Sequence, residues 1–131
     1  MRISRPLLGV IVEHARREAP DECCGIVAAR DGEASAVHPT ENVAHSPYRF
    51  EVDGATLLRV LDELERGGEE LAAVYHSHTR SAAYPSQTDV NFSGGWPGLE
   101  WLIVGLRDAE PEVRSFRIED GVVREVGVEV T

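Results

Sequence analysis

The stretch LAAVYHSHTRSAAYPSQTD, residues 71–89, decides how the chain is read. Its opening, LAAVY, is a short apolar run that leads straight into His76-Ser77-His78. Side chains alternate between the two faces of a strand, so His76 and His78 share one face and Ser77 takes the other. After seven intervening residues, Ser86-Gln87-Thr88-Asp89 has the spacing of a helix N-cap followed by an acid in the first turn. Taken alone, that pair reads as capping. With two histidines just upstream on a strand end, His76, His78 and Asp89 also read as a metal-ligand set. Two imidazoles and a carboxylate with one position left open are the ligands of a catalytic zinc centre, not of a closed structural one.

Working outward, the spacing predicts an α+β fold with a mainly antiparallel, mixed β-sheet flanked by helices. Pro6 opens a segment in which Leu7, Val10, Ile11, His14 and Ala15 share a helical face, and Pro20-Asp21 stops it, which predicts a helix near 6–18. CCGIVAAR and ASAVHP flank Arg30-Asp31-Gly32 and predict a β-hairpin. YRFEV reads as a short alternating strand. Asp53 caps a second helix carrying Leu57, Leu58, Leu61 and Leu64, which Gly67-Gly68 ends. After the histidine strand, the short helix behind Ser86 fails by Ser93-Gly94-Gly95. LEWLIVGL, EVRSFRI and VVREVGVEV then predict three further strands. No repeat or linker interrupts residues 1–131, which read as a single domain.

Composition narrows the function. A formal net charge of -10 argues against nucleic acid or an anionic membrane as partner, and favours a partner with a basic face. No apolar run approaches the length of a membrane span, and the N-terminus lacks a cleavable signal pattern, so a cytoplasmic setting is expected. Lysine is absent; all 13 basic residues are arginine. Cys23 and Cys24 are adjacent and cannot bridge without strain, so both are expected to stay reduced, with Cys24 a small buried hydrophobe. His14 reads as a helix-surface or half-buried residue, and His38 and His45 as loop residues.

A catalytic zinc also requires a proton acceptor outside its ligands. Glu22, at the start of the first predicted strand in Pro20-Asp21-Glu22-Cys23-Cys24-Gly25, is the strongest candidate, although its local sequence alone favours a solvated turn carboxylate. Glu22-x-x-Gly25, then His76-x-His78, seven residues, Ser86, two residues and Asp89 together resemble the JAMM (MPN+) metalloprotease family. The likeness extends over most of the chain, including the Asn42 loop leading to Phe50 and the YPSQTD turn. It implies an MPN/JAB1-like, cytidine-deaminase-like architecture. It further implies zinc on His76, His78 and Asp89, Glu22 as general base and proton donor, and Ser86 as donor to the developing oxyanion. Thr79 stands where many members carry proline, and there is no long insertion of the kind that grips eukaryotic ubiquitin.

In size and in its ECCG and HSH-YPS-TD elements the chain is most similar to small bacterial members of that family. These imply hydrolysis after the C-terminal Gly-Gly of a ubiquitin-like sulfur-carrier protein, from a carrier–cysteine adduct or a precursor tail. Thr79 to Pro85 and Tyr48-Arg49-Phe50 are expected to border the groove. Two other readings stand beside this one: a desampylase- or deubiquitinase-like isopeptidase on lysine-linked conjugates, and a non-catalytic MPN interaction scaffold. A nucleotide-type zinc deaminase fails, because it needs a Cys-x-x-Cys pair after the glutamate. Which adduct is cut and the oligomeric state are not written in these residues.

Overall fold

A computed structural model describes residues 1–131. In chain order the elements are β1 (Arg2–Ile3), α1 (Arg5–Glu18), β2 (Cys24–Arg30), β3 (Glu33–Thr40), α2 (Gly54–Arg66), β4 (Glu70–His78) and α3 (Gln87–Phe92). A single 3-10 turn (Ser93–Gly95) then leads to β5 (Glu100–Gly105), β6 (Glu112–Glu119), β7 (Val122–Val126) and β8 (Glu129–Val130). The expected α+β class holds. The eight strands form one sheet in the order β7-β6-β5-β4-β2-β3-β1-β8. Four of its pairings are antiparallel, and β4–β5, β1–β3 and β1–β8 are parallel. No helix is long and apolar enough to cross a membrane.

Local chemistry sets the boundaries. Ser4 caps α1 by accepting the Leu7 N–H, and Asp53 caps α2 by accepting the Thr56 N–H at 3.2 Å. Asp31 and Gly32 take φ of 52° and 80°, the conformation a two-residue hairpin turn requires, and fold β2 onto β3. Alternation along β4 divides the core between two faces. Ala73 and Tyr75 point toward α1, where Ile11, Ala15, Val27, Leu102 and Val104 join them. Val74 points the other way and packs with Ala83, Trp101, Ile103 and Phe116, while Val60 and Leu64 of α2 meet Ile26 and Ala28 beside them. His76 and His78 lie on the face opposite Tyr75.

Four expectations need correction. His38, expected in a loop, lies on β3, paired with Ile26. YRFEV is not a strand: Asn42 takes over the hydrogen bonds a ladder would have supplied, donating to Arg49 O at 3.0 Å and accepting the Glu51 N–H at 3.1 Å. VVREVGVEV is not one strand either. The chain breaks at Gly127, and Glu129–Val130 pairs with Arg2–Ile3 at the opposite edge, so the sheet curls until its two ends approach. The amino terminus donates to Gly127 O at 2.6 Å at this closure. His14 is buried rather than on the helix surface, sharing a 2.7 Å hydrogen bond with the Tyr75 hydroxyl. Burial lowers its pKa, with Arg17 adding to the effect.

Candidate active site

Strand register assembles the site. Cys24 pairs with His76 across the antiparallel β2–β4 ladder, so continuing two places brings Glu22 beside His78. Ser77, pointing to the far face, holds that junction: its Oγ accepts the Cys23 N–H at 2.8 Å. Three more bonds fix the approach to Glu22. Its N–H donates to Ser46 O at 2.9 Å, Asn42 Nδ2 donates to Glu22 O at 2.9 Å, and Thr79 Oγ1 donates to Pro20 O at 3.2 Å. Thr79 thus ties the exit of the histidine strand to the turn that carries Glu22.

Asp89 arrives on α3. The capping box formed by Ser86 and Asp89 also sets the Asp89 carboxylate beside the two histidines. Ser86 Oγ accepts the Asp89 N–H at 3.1 Å, and Asp89 Oδ2 accepts the Ser86 N–H at 2.9 Å. The same Oδ2 lies 3.1 Å from His76 Nε2 and 3.2 Å from His78 Nε2, and the two Nε2 atoms are 3.2 Å apart. Bonds of about 2.0–2.1 Å in tetrahedral geometry separate ligand atoms by about 3.3–3.4 Å. The observed triangle is close to one face of such a tetrahedron, and these three residues could hold a metal ion.

The rings are oriented in different ways. His78 Nδ1 bonds Ala82 O at 2.8 Å, which makes Nδ1 the donor and leaves Nε2 its lone pair. His76 Nδ1 has no partner; Phe50 stacks on its ring at 4.7 Å and Trp101 meets it edge-on. Farther out, Arg114 lies over the rings of Tyr84 and Phe116 and bonds Glu125, bracing the loop before Ser86.

Electrostatics separate the two carboxylates. Burial alone would raise Asp89, but His76, His78 and the Ser86 N–H outweigh it and hold its carboxyl well below the usual range. Burial lowers His76 despite Asp89. His78 is also pulled down by burial, yet its bonds to Asp89 and Ala82 leave it raised. Glu22 is only 3% exposed, and its Oε1 is buried with no hydrogen-bond partner. Desolvation pushes it up to about 8, with His78 lowering and Asp89 raising it. The expectation of a solvated turn carboxylate is overturned. Cys23 and Cys24 are buried and free, pushed up by desolvation to about 12 and about 11, so both remain neutral thiols.

Two clefts flank the donors. One, of about 360 Å³, is bordered by Glu22, His78 and Ser86 together with Pro20, Tyr48, Thr79 and Arg80. The other, of about 370 Å³, is bordered by Asp89, Phe50, Val52, Phe92, Trp96 and Trp101. Tyr48–Phe50 border these spaces as expected, but of the loop expected to do so, Thr79 to Pro85, only Thr79, Arg80 and Ser81 line them. Ser77 and the hydrogen-bonding role of Asn42 had no sequence signal of their own for a part in the site. Only their strand or loop position beside the motif pointed there.

Residues 4–119 match the family described as prokaryotic homologs of the JAB domain, and the chain belongs to it: a JAMM-type hydrolase. It is 38% identical to the CysO-cysteine peptidase of Mycobacterium tuberculosis over 131 residues, covering 98% of this chain and 89% of that protein. It is 35% identical over 120 residues to a probable TtuB-protein conjugate cleaving protease of Thermus thermophilus, covering 91% and 76%. A solution structure of a Desulfitobacterium hafniense protein superimposes with a TM-score of 0.91 at 27% identity, covering 99% of this chain and 92% of that one.

Proposed function

We propose that this chain is a zinc-dependent peptidase that cuts the amide following the C-terminal Gly-Gly of a ubiquitin-like sulfur-carrier protein, releasing cysteine or a short tail. The observation that carries the reading is the convergence of His76 Nε2, His78 Nε2 and Asp89 Oδ2 beside a buried carboxylate, Glu22, whose Oε1 has no other partner. The likeness to the CysO-cysteine peptidase supports the substrate class. His76, His78 and Asp89 would hold the zinc, which when bound would supply a Lewis acid and acidify water.

Glu22 takes a proton from the attacking water and delivers it to the departing amine. Water is thereby added across the C–N bond, its hydroxyl to the glycine carbonyl carbon and its proton to nitrogen. A carboxylate raised by burial suits this two-way traffic near neutral pH. Ser86 Oγ accepts the Asp89 N–H, so its own proton is free to meet the carbonyl oxygen as charge develops there. That contribution is worth on the order of 3 kcal/mol of barrier. The clefts on either side suit an extended chain, with the carrier tail on one side and the leaving group on the other.

Mass spectrometry of zinc-loaded protein with carrier-Gly-Gly-Cys and carrier-Gly-Ala-Cys tests the reading. Cleavage after the second glycine of the first, and little of the second, is expected. Equal cleavage of both, or ready digestion of unrelated unfolded proteins, replaces it with a general protease. The likeness to the TtuB-conjugate protease favours a second reading, an isopeptidase on lysine-linked conjugates. Faster cleavage of a lysine-linked conjugate than of the cysteine adduct would select it.

A further inference from the structure

We infer that Arg80 is the receptor for the α-carboxylate of the leaving amino acid, which makes the site an exopeptidase selective for adducts ending in a single free amino acid. The inference rests on the peptidase reading above and names its leaving group.

The Glu22 side of the site is the leaving-group side, because the group that protonates the departing amine must face it. That cleft contains one carboxylate, Glu22, and one permanent cation, Arg80. Its remaining walls, Pro20, Pro47, Tyr48, Thr79, Ser81 and Ser86, are uncharged, and His78 is committed to the donor triangle. Arg80 is exposed and uncommitted. Six of the 13 arginines lie within 4.0 Å of a carboxylate; Arg80 is among the seven that do not, and of those seven it alone borders this cleft. In a chain with 23 acidic residues, a guanidinium left free at the mouth of the site is available to a ligand.

The backbone beneath it is held on both sides. His78 Nδ1 closes a turn onto Ala82 O at 2.8 Å, Leu106 N–H donates to His78 O at 2.9 Å, and Thr79 Oγ1 reaches Pro20 O at 3.2 Å. Arg80 therefore projects from a short turn anchored to the histidine strand.

Covalent geometry completes the argument. The carboxylate carbon of an amino acid lies only about 2.5 Å from its own nitrogen, across one Cα. When that nitrogen is the scissile one, a free carboxylate must enter the same cleft, alongside Glu22. Arg80 is the cationic side chain the cleft offers to that second acid, the metal being engaged with the scissile carbonyl and water. A guanidinium offers a planar pair of donors matched to a carboxylate. A lysine-linked conjugate places a methylene chain at this point, and a longer tail places a neutral amide. Neither gives Arg80 a charged partner.

The test compares three zinc-loaded proteins, wild type, Arg80→Gln and Arg80→Lys, on carrier-Gly-Gly-Cys with a free C-terminal acid and with a C-terminal amide. Wild type should prefer the acid by about fivefold in kcat/KM, the upper scale of one ion pair near solvent. In Arg80→Gln the acid-to-amide ratio should fall to near one. Arg80→Lys should keep part of the preference, and raised salt should erode it in wild type. Zinc content and melting temperature, matched across the three, show that the site is intact. A wild type that cuts acid and amide alike, or an Arg80→Gln that keeps the wild-type ratio, overturns the inference while leaving the peptidase reading in place. A wild type that cuts neither adduct overturns both.

Discussion

Replacing Glu22 by glutamine removes a carboxyl that the fold has desolvated, with Oε1 left without a hydrogen-bond partner, and this should stabilise the metal-free protein in a pH-dependent way. Glu22 has an ordinary value of 4.5 and is pushed up to about 8, chiefly by desolvation. At about 1.4 kcal/mol per pH unit, that gap corresponds to roughly 4–5 kcal/mol between the two protonation states. The sign follows from proton binding. Between pH 4.5 and 8 the folded chain holds a proton at Glu22 that the unfolded chain has lost, so stability falls as pH rises through this window. Below it the carboxyl is neutral in both states and costs nothing. Glutamine never ionises and escapes the penalty. Urea denaturation of chelated wild type and Glu22→Gln should therefore give similar free energies near pH 4.5 and a variant more stable by several kcal/mol near pH 8.5. Restoring zinc should narrow the gap, because a cation beside Glu22 favours its charged form. A difference that does not change with pH would refute the claim that Glu22 is desolvated.

Gly25→Ala should be severe, because an added β-carbon would run into the ring of Tyr75. That ring is fully buried and its hydroxyl is bonded to His14, so it cannot swing aside, and a loss of about 2–3 kcal/mol in chemical denaturation is expected; an unchanged denaturation midpoint would contradict this packing. Ser77→Ala removes the acceptor of the buried Cys23 N–H and should cost about 1–3 kcal/mol. Since that bond sits beside Glu22, turnover should drop while bound zinc stays near wild-type level, and loss of zinc with unchanged turnover per bound ion would show a different role.

The clustering of His76, His78 and Asp89 was legible because a strand and a helix cap each impose a fixed spacing. His76 and His78 share a face by the pleat, and Asp89 reaches them because the capping box that starts α3 also aims its carboxylate. The hairpin at Asp31-Gly32 was legible for the same reason, in that only one turn geometry fits those two residues. Burial of Glu22 was not. Its local sequence is polar, and its enclosure depends on Ser46, Asn42 and Ser77, which come from elsewhere in the chain. The loop at Tyr48–Val52 was misread as a strand since side-chain alternation serves equally for a segment whose hydrogen bonds go to one asparagine. The pairing of Arg2–Ile3 with Glu129–Val130 was invisible, because two-residue strands carry no period and their partners lie at opposite ends of the sequence.

The most direct test of the central claim is an anomalous difference map at the zinc absorption edge from crystals of the zinc-loaded protein. One peak per chain is predicted, about 2.0–2.2 Å from His76 Nε2, His78 Nε2 and Asp89 Oδ2, with the Glu22 carboxylate nearby but outside bonding distance. A peak elsewhere, or one ligated by Glu22 in place of Asp89, would contradict the account.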